Sequence, residues 1–134
     1  MLGQPELTGI ARARIADAEA LVRSERCDGA VYLCGYAVEI ALKVRICRTL
    51  EWAGFPDNAK DFKEYQSFKT HDLDVLLHLS GVEKIVKQNF IPEWSVVGTW
   101  NPEMRYQPIG SATKERVERM IEASKRLTEV LCGT

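Results

Sequence analysis

The chain lacks a surplus of either charge. Its 134 residues hold 18 Lys and Arg against 19 Asp and Glu, a formal charge of −1. No global basic field exists to hold nucleic acid non-specifically, so any such binding has to rest on a local patch. Glycine (9) and proline (5) are too scarce for a strand-and-turn sandwich. The longest apolar stretch is broken by Glu39 and Lys43, so no membrane span is expected. Met1-Leu2-Gly3-Gln4-Pro5-Glu6 has no basic stretch followed by an apolar one, so neither a secretory leader nor an anchor is expected. The only histidines are His71 and His78, and Cys27, Cys34, Cys47 and Cys132 form no C-x-x-C. Zinc needs such ligands clustered at short spacing, so neither metal nor cofactor is expected. The cysteines read as free thiols packed like small hydrophobes, which implies a reduced, cytoplasmic setting. A Gly-rich phosphate loop, a G-x-S-x-G elbow and an H-E-x-x-H helix are also missing.

What remains is ordinary globular composition, 46% hydrophobic and 28% charged, at one domain's length, 1–134. Helix interiors exclude proline, so Pro5, Pro56, Pro92, Pro102 and Pro108 divide the chain. Leu7, Ala11, Ile15, Ala18 and Val22 recur at helical spacing and predict a first helix over about 7–26. Asp28 is placed to cap a second, over about 29–52. Between Ala30 and Ile46 that segment carries only Glu39, Lys43 and Arg45 as charges. A helix apolar nearly all round is buried on several sides, here as the axis of a bundle. It has more apolar surface than a small bundle easily covers, so a homodimer is expected. Residues 51–69 read as a loop with one or two helical turns near Lys60–Tyr65, tethered by Phe55, Phe62, Tyr65 and Phe68. Thr70 is placed to cap a third helix, Gly81 ends it, and 82–90 forms a fourth. Residues 91–110 hold three of the five prolines with Trp94, Trp100 and Tyr106, and read as a long loop. Ser111 is placed to cap a last helix reaching about Leu131. The expected fold is all-α: an antiparallel bundle of four to five helices, with a long Pro- and Trp-containing loop before the last. No strand pair is expected.

Glu39 interrupts an apolar helix at its midpoint. A buried carboxylate needs a partner; Lys43 one turn along, Tyr36, Arg45 and Arg105 are candidates. Glu39 reads either as an acid, base or polar anchor, or as half of a buried pair that sets helix register. Arg105-Tyr106 follows Trp94 and Trp100, and a guanidinium beside rings suits a phosphate with a stacked base. The same residues also read as an arginine lying over loop aromatics. Arg105 and Tyr106 are expected to line the main polar cleft, with Glu39 or His71 facing it. His71 reads as a first-turn residue whose neutral form the helix dipole favours, with His78 on the same face. The candidate catalytic set is thus Arg105, Tyr106, His71 and Glu39. The candidate ligand-binding set is Arg105, Tyr106, Trp100 and Lys43.

The stretch ARIADAEALVRSERCDGAVYLCGYAVEIALKVRI resembles the opening two helices of HEPN domains. There an arginine-bearing helix ends in a short turn, and an apolar helix follows with a central glutamate and then A-L-K. In this sequence Arg12 or Arg14, Asp28, Ala30, Tyr32, Gly35, Glu39, Leu42 and Lys43 carry the likeness. THDLDVLL, Thr70–Leu77, is similar to the third-helix motif of that family. Trp100, Arg105, Tyr106 and Pro108 are similar to one bacterial branch. The resemblance implies an antiparallel bundle, often a homodimer. Its members include ribonucleases of toxin–antitoxin or defence systems, binders of RNA or nucleotides, and partners of small nucleotidyltransferases. The ribonucleases carry R-x(4–6)-H; neither His71 nor His78 has an arginine at that spacing, so that pair is not carried over. The expected function is a HEPN-like dimeric RNA- or nucleotide-binding or partner protein. One alternative is a divergent metal-independent ribonuclease using Arg105, Tyr106 and His71 or Glu39. The other is an interaction module without a small ligand.

Overall fold

The structure, a computed structural model, describes residues 1–133. Helix α1 spans Gln4–Arg23 and buries Leu7, Ala11, Ile15 and Ala18. Pro5 lies in its first turn, where a missing backbone N–H costs nothing. A three-residue turn leads back into α2, Cys27–Leu50, which buries twelve residues and ends at Glu51 in the left-handed conformation. Leu2–Gly3 (β1) and Gly54–Phe55 (β2) then pair antiparallel, Leu2 opposite Phe55. Asn58 caps α3, Ala59–Phe62, and a 3-10 turn follows at Gln66–Phe68. Trp52 packs on Phe68 and Tyr65 at ring distances of 4.9 and 5.0 Å, which ties this segment down. Three short helices come next: α4, Leu73–Leu79, α5, Glu83–Asn89, and α6, Ile91–Val97. After a 3-10 turn at Pro102–Tyr106, α7 runs over Lys114–Cys132.

The fold is therefore an all-α bundle, with seven helices among the described residues and one two-residue strand pair. α2 is its axis: α1 and α7 pack along it, and α4 packs on it as well. Among the described residues no helix is long and apolar enough to cross a membrane.

Several local expectations are corrected. The supposed loop 91–110 begins with α6, because Pro92 falls in a helix's first turn rather than its interior. Asp72, not Thr70, caps α4 through the N–H groups of Asp74 and Val75; Thr70 Oγ1 accepts from Asp72 N instead. His71 thus lies ahead of the helix, outside the reach of the first-turn argument, and shares no helix face with His78. Thr113, not Ser111, caps α7. The apolar circumference of α2, the ground for expecting a dimer, is largely covered within the chain.

Three long-range ties close the bundle. Trp100 is 3% exposed, lies across Gly35 of α2, and donates from its indole N–H to the Tyr32 carbonyl at 3.1 Å. A Cβ at position 35 would stand 2.1 Å from the indole, so only glycine admits this contact. Asp28 does not cap its own helix. Its carboxylate accepts from Gly110 N at 2.6 Å and Ala112 N at 2.9 Å, and these two bonds lower its pKa. At the far end, Arg45 donates to the Leu131 and Val130 carbonyls at 2.9 Å and Arg48 to those of Cys132 and Gly133. Two guanidiniums so cover the negative end of the α7 dipole.

Gly35→Ala is expected to destabilise the protein despite alanine's helix preference of about 1 kcal/mol. Overpacking against a fixed indole costs about 1–3 kcal/mol or more, so a lower melting temperature with altered tryptophan emission is expected. Asp28 contributes stability that is present above its ordinary pKa of 3.8 and lost as pH falls through its lower folded value. The melting-temperature gap between wild type and Asp28→Ala is therefore expected to hold at neutral pH and to close in acid.

Candidate functional site

On α2, Tyr32, Tyr36, Glu39 and Lys43 follow one another at steps of four, three and four, so one stripe of the helix carries two phenols, a carboxylate and an ammonium. Glu39 is 2% exposed. It accepts from Lys43 Nζ at 3.2 Å through one oxygen and meets His71 Nδ1 at 2.8 Å through the other. The local reason is plain. The carboxylate is buried among apolar neighbours, and each oxygen has found a donor, one from the next turn and one from the segment that enters α4. The Lys43 side chain is 18% exposed and that of His71 59%, so the triad runs from a dry carboxylate out to an open imidazole. Donation from Nδ1 leaves the Nε2 lone pair free for a ligand or a proton.

The stripe continues from His71. The Tyr36 ring lies 6.3 Å from the imidazole, edge on, and its hydroxyl meets that of Tyr32 at 3.4 Å. Burial first, then the Tyr32 hydroxyl, push the Tyr36 phenol up to about 12, so it remains a donor at neutral pH. Arg105 stands beside Tyr106 and Tyr32, whose hydroxyls raise its pKa further. Its guanidinium lies 4.7 Å over the Tyr106 ring and donates to the Pro102 carbonyl at 3.2 Å. Tyr106 is 72% exposed.

The structure brings Glu39, Lys43 and His71 together, and it sets Arg105 and Tyr106 at the other end of the same strip. Trp100 is not a stacking platform for a ligand: it is buried on Gly35, against Tyr36 at 4.9 Å. Arg45, one suggested partner of Glu39, is committed to α7. Arg105 and Tyr106 do not line the cavity of about 490 Å³ that opens beside Lys43 and His71, between α1, α2 and residues 55–71. Tyr32 and Tyr36 were available to sequence reasoning through their spacing with Glu39. The cavity was not, because its walls come from segments far apart in the chain.

Among the described residues no group of three His, Cys, Asp or Glu side chains is arranged to hold a metal ion. The four cysteines are free. Burial pushes the Cys34 thiol up to about 12 and raises those of Cys47 and Cys132, which makes all three poor nucleophiles. No family model matches the chain, and no curated protein or solved structure is significantly similar to it.

Glu39→Ala removes the shared partner of His71 and Lys43. Breaking a fully buried pair costs about 3–5 kcal/mol, but Lys43 and His71 both reach water, so a loss of about 1–3 kcal/mol is expected. Chemical denaturation measures it. In the same variant the His71 ring signals in NMR are expected to lose their fixed environment.

Proposed function

We propose that the chain is a HEPN-like binding module for RNA or nucleotides, whose contact surface is the strip from Arg105 and Tyr106 across Tyr32 and Tyr36 to His71 and Lys43. The observation that carries this reading is the exposed imidazole of His71, fixed at Nδ1 by the buried Glu39 carboxylate. Two phenols and a guanidinium form a donor array suited to phosphate oxygens, and the held imidazole presents its Nε2 acceptor beside them. The open Tyr106 ring offers a face for a stacked base. The neutral overall charge fits recognition through a few placed contacts rather than through a broad field. A homodimeric state, and a place beside a nucleotidyltransferase in a toxin–antitoxin or defence pair, belong to the same proposal through the resemblance in α1 and α2. The exposed Val75, Ile85, Ile91 and Ile109 lend the dimer support as apolar surface in search of cover.

Metal-independent RNA cleavage is the second reading, and one observation favours it. A carboxylate that orients a solvent-facing imidazole is the arrangement general acid–base catalysis uses. In that reading His71 Nε2 takes the proton of the 2′-hydroxyl as its oxygen attacks phosphorus, the P–O5′ bond breaks, the leaving 5′-oxygen, oriented by Tyr106, takes up a proton, and Arg105 opposes charge developing on the phosphate.

Fluorescence anisotropy with a short labelled single-stranded RNA tests the proposal. Arg105→Ala is expected to weaken binding about tenfold, the scale of one charge-assisted contact, with circular dichroism and melting temperature unchanged. Normal affinity combined with early melting would make Arg105 a structural clamp instead. Incubation of the same RNA with chelator present decides the second reading: strand scission lost in His71→Ala supports it, and intact RNA with the wild-type protein ends it.

A further inference from the structure

The cavity beside the triad has a chemistry of its own. Its walls are Leu2, Ile10, Ile40, Phe55, Phe62 and Phe68, and its volume of about 490 Å³ falls within the ~300–1,000 Å³ common for small-molecule sites. Protein interiors are close-packed, so an apolar space of this size beside a tightly buried core forgoes contacts that a guest would restore. The polar lining is concentrated in a few residues: Lys43, Lys69, Thr70, His71 and Asp57. Asp57 is the one carboxylate among them, and the N-terminal ammonium engages it at 2.9 Å. Lys43 gives one N–H to Glu39 and holds its ammonium 5.2 Å from the Phe55 ring centroid. Lys69 forms no ion pair among the described residues. The lining is thus mostly apolar, with two ammonium groups, Lys43 and Lys69, and the imidazole of His71 on its border.

We propose that this cavity is a binding site for a small amphipathic anion, its apolar body against Ile10, Ile40 and the three phenylalanines and its carboxylate or phosphate head at Lys69 and Lys43, next to His71. Charge complementarity favours the anion: the lining carries two ammonium groups against one carboxylate that is already paired, so an anionic head gains attraction that a neutral guest lacks, and a cation meets like charge. Thr70 and His71 border the cavity and also lead directly into Asp72, the cap of α4, so the head group would touch the segment that positions the imidazole. The site shares Lys43 and His71 with the RNA-binding strip but goes beyond that reading, since its apolar walls and Lys69 lie outside the strip and Arg105 and Tyr106 lie outside its walls.

Calorimetric titration with octanoate, octyl phosphate and 1-octanol tests the proposal. Trp52 emission gives a second readout, because its ring packs against the wall residues Phe55 and Phe68. One octanoate or octyl phosphate per chain is expected, whichever head group binds more tightly, with 1-octanol at least about fivefold weaker. Lys69→Ala is expected to shrink that difference to about twofold or less. Ile10→Trp fills the cavity and is expected to abolish binding while the helical signal is kept; if it fails to fold, Ile40→Phe takes its place. Equal affinity for octanoate and octanol overturns the proposal. So does the absence of saturable binding, or octanoate binding that survives in a folded, filled variant. None of these outcomes touches the RNA measurement, which reads Arg105.

Discussion

Helix α2 has to be kept dry around most of its circumference, and much of the architecture answers that demand. Twelve of its residues are buried, so a single partner helix could not cover it. α1 and α7 take two sides and α4 a third. Where the stripe of Tyr32 and Tyr36 leaves an opening, the indole of Trp100 is laid across Gly35. The segment from α6 to α7 is therefore part of the core rather than an ornament on it, and the absence of a side chain at one position makes the arrangement possible.

Against that apolar background a single carboxylate stands out. Glu39 binds the turn ahead on its own helix and, through His71, the chain that enters α4. Its burial is tolerable because both oxygens are satisfied by groups that themselves reach solvent. The same bonds that settle a packing problem also orient an exposed imidazole. Structural and chemical roles thus meet in one side chain, and a substitution there is read cleanly only when stability and binding are measured together.

The long periodic helices were legible in the sequence, since α1, α2 and α7 each repeat apolar residues over about four turns or more. So was the need of Glu39 for a basic partner at Lys43. Features decided by distant pairings were not. Asp28 looked like a local cap, but its acceptors are taken up by backbone donors 82 and 84 residues away. Trp100 looked like a surface ring because nothing near it in sequence announces the gap above Gly35. Pro92 read as a helix breaker, whereas in a first turn it initiates one. His71 was assigned to a helix that starts two residues later, because Thr70 and Asp72 are both plausible caps and only the fold chooses between them. The cavity needs β1, α1, α2 and residues 55–71 assembled at once, and no local pattern encodes it.

The position of α7 in the chain has a consequence for biosynthesis. α1 and α2 are adjacent and form a hairpin from local contacts, but the flank of α2 that α7 covers waits for residues 51–113 to be made first. While the ribosome works through that stretch, the nascent hairpin displays an apolar face to water or to any chaperone at hand. The late-arriving helix then locks through Arg45 and Arg48, which grip its final carbonyls. Folding of this protein is in that sense timed by translation: the helix that seals α2 is made after α1 and α4, which pack on its other sides.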